Sequence, residues 1–423
     1  MAELHRPIRS HKHRKNEMTE TTFLRRVILK NYRSIATCDI DLEPLTFFVG
    51  PNGSGKSSFL DALRLVTDSL RTSLDHALRD RGGINEVRRR SAGHPTHFGI
   101  RLEFTLPDGD QGHYAFRVAS RPGGGFRIQD EECVVAGFAG NGSISRFRVA
   151  DGEVALSLPH VAPPATLDRL YLVTISGLEP FRTIYDALSR MGFYNLNPDR
   201  IRDLQGPDAG DVLNRDGDNL ASVFDQITRT EPEIADRIIE YLGKIVPGIV
   251  GVDSRAIGPK ETLEFRQEIV GSAYPWKFLA SSMSDGTLRA FGILVALFQS
   301  ARSNQNRVPI VGIEEPEIAL HPAAVGVLLD SLRDASHFTQ VIVTSHSPDL
   351  LDNEDIPPEA IRAIVANRGT TSIGPLTPQT RRILAEHLFT GGELLRQNRL
   401  EPDPAFVQAA ASRQLRLFDE GRP

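Results

Sequence analysis

The segment Gly50-Pro51-Asn52-Gly53-Ser54-Gly55-Lys56-Ser57 constrains this chain more than any other. It fits the pattern GxxxxGK[ST] and lies between the apolar run TFFVG and a stretch that carries Phe59, Leu60, Leu63, Val66 and Leu70. The run reads as a buried strand and the stretch as a helix with one apolar face. A strand that turns through glycines into a helix leaves backbone N–H groups pointing inward at the helix's positive end. That loop is built to surround phosphates. Gly50 to Gly55 form its cradle, with Ser58 continuing into the helix. Lys56 reaches the β- and γ-phosphates, and the Ser57 hydroxyl ligates Mg2+.

Three further motifs carry chemistry. Residues 308–315, VPIVGIEE, form an apolar strand ending in Glu314 and Glu315; Pro309 is tolerated at its start. One strand-end carboxylate can hold Mg2+ through water, and the next can polarise an attacking water. Glu314 takes the first role and Glu315 the second. Next in motif order, though earlier in the chain, SSMSDGTLR (281–289) opens the helix AFGILVALFQ. Ser284 and Asp285 lie where an N-cap belongs, so ordinary capping is one reading. The sharper one makes Ser284 and the Gly286 amide a second anion site. Finally, VIVTSHS (341–347) is an apolar strand whose end places His346 within reach of a γ-phosphate.

Around these motifs the chain changes character. Residues 1–22 read as a disordered arm, with Arg6, Arg9, Lys12, Arg14 and Lys15 against Glu3 and Glu17. His5, His11 and His13 have no acidic or cysteine partner at ligand spacing, which favours a solvated tail over a metal cluster. Residues 23–97 bring FLRRVILKNY and DIDLEPL as strands ahead of the phosphate loop. Residues 98–163 hold short strand patterns separated by Asp-Gly, Gly-Gly and Asn-Gly turns, a β-meander. Residues 164–247 turn mostly helical, with Asp218 or Asn219 as N-cap of NLASVFDQI. Residues 248–392 contain an expected strand pair at 249–270, then helices and strands in α/β order. Residues 393–423 read as a polar, frayed tail.

The four motifs in this order resemble the ATPase heads of the ABC/SMC superfamily. SDGTLR resembles the ABC signature, and GPNGSGKS is the loop form of SMC and RecF heads. LKNYRSI (29–35) resembles their opening strand. EEPEIALHP, TSHSPDLLD, MGFYNLNPDRIR and DGDNLASVF resemble the RecF-like, OLD-type ATPases of the AAA family. The resemblance covers most of residues 23–392. It implies an α/β P-loop NTPase, an ABC/SMC-type head with a β-meander insert and a helical subdomain. It further implies ATP hydrolysis with Mg2+, and a homodimer with ATP at the interface. Lys56, Glu315 and His346 would act catalytically, Ser57 and Glu314 would hold the metal, and Ser284 and Gly286 would contact the partner's γ-phosphate.

Departures from that pattern are visible. Both Walker B carboxylates are glutamates, where ABC proteins have Asp then Glu. His321 stands where ABC proteins have the D-loop aspartate, and the sequence identifies no Q-loop glutamine. Between Ser57 and Ser284, meander and short helices replace the long coiled coil of SMC heads, which brings the chain nearer RecF.

Composition narrows the function. A net charge of −5 excludes a wholly basic nucleic-acid-coating protein. No apolar run approaches the roughly 20 residues of a membrane helix, and the N-terminus has no apolar signal core. Cys38 and Cys133 make no CxxC, so a reducing cytoplasm is expected. A RecF-like ATPase engaging DNA in double-strand break repair is the first reading. The second is the ATPase sensor of an anti-phage or toxin–antitoxin pair, acting through a separate effector protein. OLD-type nucleases carry a C-terminal TOPRIM domain; the stretch after His346 is shorter than that and has no DxD, so no nuclease centre is expected in cis. Arg79, Arg81, Arg88, Arg89 and Arg90 form the candidate DNA-contacting cluster.

Overall fold

The computed structural model of the protein describes residues 22–137, 144–158, 163–300, 307–412 and 416–418. Nearly all of the expected basic arm, residues 1–21, lies outside the described residues. The strands are β1 (Leu24–Tyr32), β2 (Ile35–Asp41), β3 (Leu45–Val49), β4 (His97–Thr105), β5 (Gln111–Ser120), β6 (Phe126–Ala136), β7 (Ile144–Ala150), β8 (Glu153–Leu158), β9 (Gly192–Tyr194), β10 (Ile249–Ile257), β11 (Lys260–Gln267), β12 (Trp276–Leu279), β13 (Ile310–Glu314), β14 (Gln340–Ser345), β15 (Ile361–Asn367) and β16 (Thr370–Pro375). Thirteen of them make one mixed sheet in the order β8-β7-β6-β5-β4-β1-β2-β16-β15-β3-β14-β13-β9, and β10-β11-β12 make a second.

The segment β15-β3-β14-β13-β9 is parallel throughout. Its strands read as near-continuous apolar runs because both faces are covered. One face carries the helix Lys56–Arg71, which buries Phe59, Leu60, Leu63, Val66 and Leu70 as its spacing demands, together with the helix Glu179–Ser189. The other face carries the helices Leu220–Thr230, Pro232–Ile245, Asp285–Phe298 and Val325–Ser336. Asp285–Phe298 is buried at every position from Thr287 onward, and from Ala290 its residues are apolar all round, as in a helix inside a core. The small sheet rests on this second core through Phe265, whose ring meets Phe291 edge-on at 5.6 Å.

The meander strands β4–β8 pair in succession, and β4 pairs with β1. The expected meander therefore prolongs the head's own sheet. Three local expectations shift. The second strand spans Ile35–Asp41, earlier than DIDLEPL, because a tight turn pairs Tyr32 with Ile35. Strand β9 lies within the stretch read as mostly helical; three residues are too few to show a period of two. Asn219 is the N-cap of Leu220–Thr230 by position, but its Oδ1 accepts from the Asn214 amide instead of capping the helix.

The tail is docked where fraying was expected. Leu394 and Leu400 are buried in the main core, and Leu417 and Phe418 pack on Ile28 and Ala115. Arg117 and Arg148 stand over the Phe418 ring at 5.1 and 5.5 Å. Polar composition hid these anchors because they are only a few residues among many solvated ones.

Candidate functional site

The parallel arrangement gathers the C-terminal ends of β3, β9, β13 and β14 at one rim, where open α/β sheets bind ligands. The loop after β3 is Gly50–Gly55. Gly55 has φ +106°, and a Cβ there would lie 2.4 Å from Thr371 Oγ1, so only glycine lets the loop turn against β16. Thr371 also donates to the Ser54 carbonyl at 2.8 Å. Pro51, Asn52, Gly53 and Ser57 are exposed, with Ser58 half-buried, while Gly50, Ser54 and Lys56 are buried. Lys56 Nζ donates to the carbonyls of Gly50 and Pro51 at 2.8 and 3.1 Å. Burial pulls its pKa down, against the raising fields of Glu315 and Glu317. The lysine is thus desolvated and held by two carbonyls that a phosphate can replace.

At the end of β13, Gly312 faces Leu60 of the phosphate-loop helix. Strand alternation puts Glu314 on that same side. Its carboxylate is 3.5 Å from the Arg215 guanidinium, and both side chains are partly exposed. Glu315 leaves the strand at φ +48°, a left-handed conformation rare for a residue with this side chain. Its Oε1 lies 2.8 Å from His346 Nδ1, at the end of β14. An ionised carboxylate only accepts, so Nδ1 carries the hydrogen. The expected water-polarising group and the expected switch histidine are therefore in direct contact.

Sequence reasoning missed what holds these groups. Arg289 of the helix Asp285–Phe298 is buried and donates to the carbonyls of Leu196, Glu314 and Glu315 at 3.1, 3.0 and 3.1 Å. One guanidinium thereby pins the strand ends that carry both carboxylates. Glu317 is buried, accepts from the Ser345 hydroxyl, and keeps Oε2 without a hydrogen-bond partner. Asn195 is exposed just past β9, where it lines a cleft of about 360 Å³ with Arg215 and Arg289. The repeated Glu in EEPE was the one signal that pointed to Glu317; Arg289 and Asn195 gave none.

The donor set suits a small hard cation. Among the described residues no group of three or more His, Cys, Asp or Glu side chains could cage a metal. Mg2+ needs no such cage, because it takes one or two carboxylates and completes its shell with water and phosphate oxygens. The Ser57 hydroxyl and the Glu314 carboxylate would supply that chemistry.

Ser284 and Gly286 sit at the start of their helix with no hydrogen bond to Gly50–Ser57 of the same chain. Ser284 Oγ accepts from the Thr287 amide at 3.2 Å, an ordinary N-cap, and the residue is exposed. Asp285 pairs with Arg202. A Cβ on Gly286 would lie 2.3 Å from the Ala319 carbonyl oxygen. Glycine at this position is thus required within the chain, by the loop that follows Glu315. His321 caps the short turn after that loop, accepting from Ala323 N at 3.2 Å.

The arginines of the expected DNA-contacting cluster all have partners within the chain. Arg81 is buried and donates to Asp61 and Asp68 at 3.0 and 2.8 Å. Asp61 also receives Tyr32, Arg33 and Arg64. Arg79 pairs with Asp75, Arg90 with Glu86, and Arg89 holds the Ser34 carbonyl and Thr370. Arg88 donates to Asn85 and the Pro95 carbonyl. Arg81 and Arg89 thus hold the fold together, while Arg79 and Arg90 stay exposed beside an acidic partner each.

Comparison with known proteins agrees with this geometry. A family model described as "AAA domain, putative AbiEii toxin, Type IV TA system" matches residues 45–352. An OLD nuclease of Thermus scotoductus is 26% identical over 372 residues, covering 82% of this chain and 62% of that protein. RecF of Aliivibrio fischeri, described as a DNA replication and repair protein, is 52% identical over only 44 residues, 12% of its length. The chain thus spans less than two thirds of these curated relatives. Among solved structures, an SMC head bound to the C-terminal winged-helix domain of ScpA superimposes with a TM-score of 0.53 at 14% identity, covering 86% of this chain and all of that one. That likeness establishes the SMC-head fold. Among the described residues no helix is long and apolar enough to cross a membrane.

Proposed function

The chain belongs to this family of AAA domains, and from that premise we propose that it is an ATP-hydrolysing head that closes as a homodimer around two ATP molecules. The observation that carries the reading is the Glu315–His346 contact at 2.8 Å, on the strand ends beside the phosphate loop. Lys56 exchanges its two carbonyl partners for the β- and γ-phosphates. Glu315, fixed through Oε1, offers its other oxygen to orient and deprotonate water. His346 stabilises that carboxylate and reads the γ-phosphate. Ser57 and Glu314 would hold Mg2+, which would supply positive charge against the phosphates. Ser284 is exposed and Gly286 half-buried beside it, and the exposed hydroxyl supports a contact to a partner protomer's nucleotide.

Three variants test this. Lys56→Ala should lose both ATP affinity and turnover. Glu315→Gln should bind ATP, stop turning over and accumulate as a dimer with ATP but not ADP. Ser284→Arg should bind ATP as a folded monomer, and mixing it with Lys56→Ala should partly restore activity through one intact composite site. A native protein that stays monomeric with ATP, and a Ser284→Arg protein at full rate, would refute the dimer.

Downstream, the family description favours the second reading: a cytoplasmic ATPase sensor working through a separate effector protein. The engagement of Arg81 and Arg89 within the chain weakens the local support for DNA contact. The repair reading keeps the short RecF likeness. Labelled duplex DNA separates the two: salt-sensitive binding that stimulates ATP turnover supports repair, and its absence supports the effector.

A further inference from the structure

Glu317 has no part in the mechanism above, yet the fold buries its carboxylate. The residue is 8% exposed, and Oε1 accepts from Ser345. Ser345 in turn receives the Ser347 amide on its hydroxyl at 3.0 Å and the Gly50 amide on its carbonyl at 3.4 Å. The carboxylate is therefore tied to the first residue of the phosphate loop and to the turn that carries His346. Oε2 is buried and has no donor. Lys56 and Arg289 both feel the charge of Glu317, but their hydrogen bonds go to backbone carbonyls. Ser54 Oγ, 1% exposed in the same loop, is likewise without a partner.

A buried carboxylate oxygen with no donor is a group waiting for one. Glu314 is differently placed: it is partly exposed and already paired with Arg215. We propose that Glu317 is a second carboxylate of the metal site, its free oxygen accepting from the water shell of the divalent cation that enters with the nucleotide. Ser345 holds the other oxygen and so aims the group. Glu314 and Glu317 then share the cation from two sides of the Glu315 turn. The assignment rests on the reading of Gly50–Ser57 as the site of metal-bound ATP.

Glu317→Gln tests it, since the amide keeps the size and the acceptor for Ser345 and removes the charge. The probe is Mn2+, with free ion followed by electron paramagnetic resonance in the presence of ATP. Binding of a fluorescent ATP in chelator is measured alongside. We expect the variant to lose about tenfold or more in Mn2+ affinity, as loss of an outer-shell partner does, with metal-free ATP binding unchanged. Glu317→Asp, which keeps the charge but draws it back, should lose severalfold and decides the matter if the glutamine variant does not fold. Native Mn2+ affinity in either folded variant overturns the proposal. So does a loss that appears equally without metal, which would make Glu317 only a support for the loop. A native protein that binds ATP neither with nor without metal would instead remove the reading beneath it.

Discussion

Gly286→Ala separates what the signature glycine does inside its own chain from what it does for a partner. The position lies in the first turn of the helix Asp285–Phe298. Alanine in a helix is favoured over glycine by about 1 kcal/mol, so helix propensity alone makes this substitution stabilising. The added Cβ, however, would stand 2.3 Å from the Ala319 carbonyl oxygen. Relief to an ordinary contact needs a shift of about 1 Å, and overpacking of that kind costs roughly 1–3 kcal/mol. Ala319 already has φ +66°, and its neighbour Ile318 is exposed, so the loop yields more easily than the buried helix. We therefore expect a small net change in stability, within about 2 kcal/mol, but a displaced Glu315 turn. A misplacement near 1 Å is worth about 100-fold in rate. Steady-state turnover and urea unfolding are measured on the same preparation. The double variant with Ala319→Gly, which relaxes the loop, should recover part of the rate. Native turnover in Gly286→Ala would refute the steric argument, and so would a rate loss matched by loss of ATP-driven dimerisation, with no rescue by Ala319→Gly.

Two further outcomes follow from buried charge. Arg81→Met should lower unfolding free energy by about 3 kcal/mol, because Asp61 loses one of its buried partners; equilibrium urea denaturation reads this, and a loss under 1 kcal/mol together with weaker DNA binding would restore Arg81 to the surface. Burial pushes Glu131 from 4.5 up to about 7, against donors from Leu172, Tyr171 and Tyr114. The folded state therefore holds a proton that the unfolded chain releases first, so stability is full below about pH 4.5 and falls by up to ~1.4 kcal/mol per pH unit until about pH 7. Glu131→Gln should flatten that slope in denaturation series at stepped pH, and an unaltered slope would assign it to other groups.

The four motif ends were legible because each is a local event: an apolar strand that stops, followed by residues whose chemistry needs a strand end. Gly50–Ser57, Glu315 and His346 were read that way, and the fold brings them to one rim. Glu317 escaped because its meaning lies in burial against Ser345, a residue on another strand. Arg289 escaped for the same reason, since its partners are backbone carbonyls that any sequence would carry. Arg81 misled in the opposite sense. A run rich in arginine looks solvated in one dimension, and only the packing of Asp61 against it turns the charge inward. The tail was misread because Leu417 and Phe418 find their seat on strands far back in the chain.

The placement of β3 has a consequence for how the chain is made. Both neighbours of β3, the strands β14 and β15, come from the far end of the sequence. The side chain of Gln340 closes the start of β1 from 316 residues away, and Arg101 donates to the Leu417 carbonyl over the same separation. The antiparallel ribbon from β4 to β8 pairs only with near neighbours, so it can form while synthesis continues. The phosphate loop cannot: its strand has no partner until β14 and β15 have left the ribosome. A nascent chain arrested before β14 should hence resist protease through the ribbon while staying open to cleavage around Gly50. Nucleotide-binding competence would then arrive all at once, when β14 and β15 take their places beside β3.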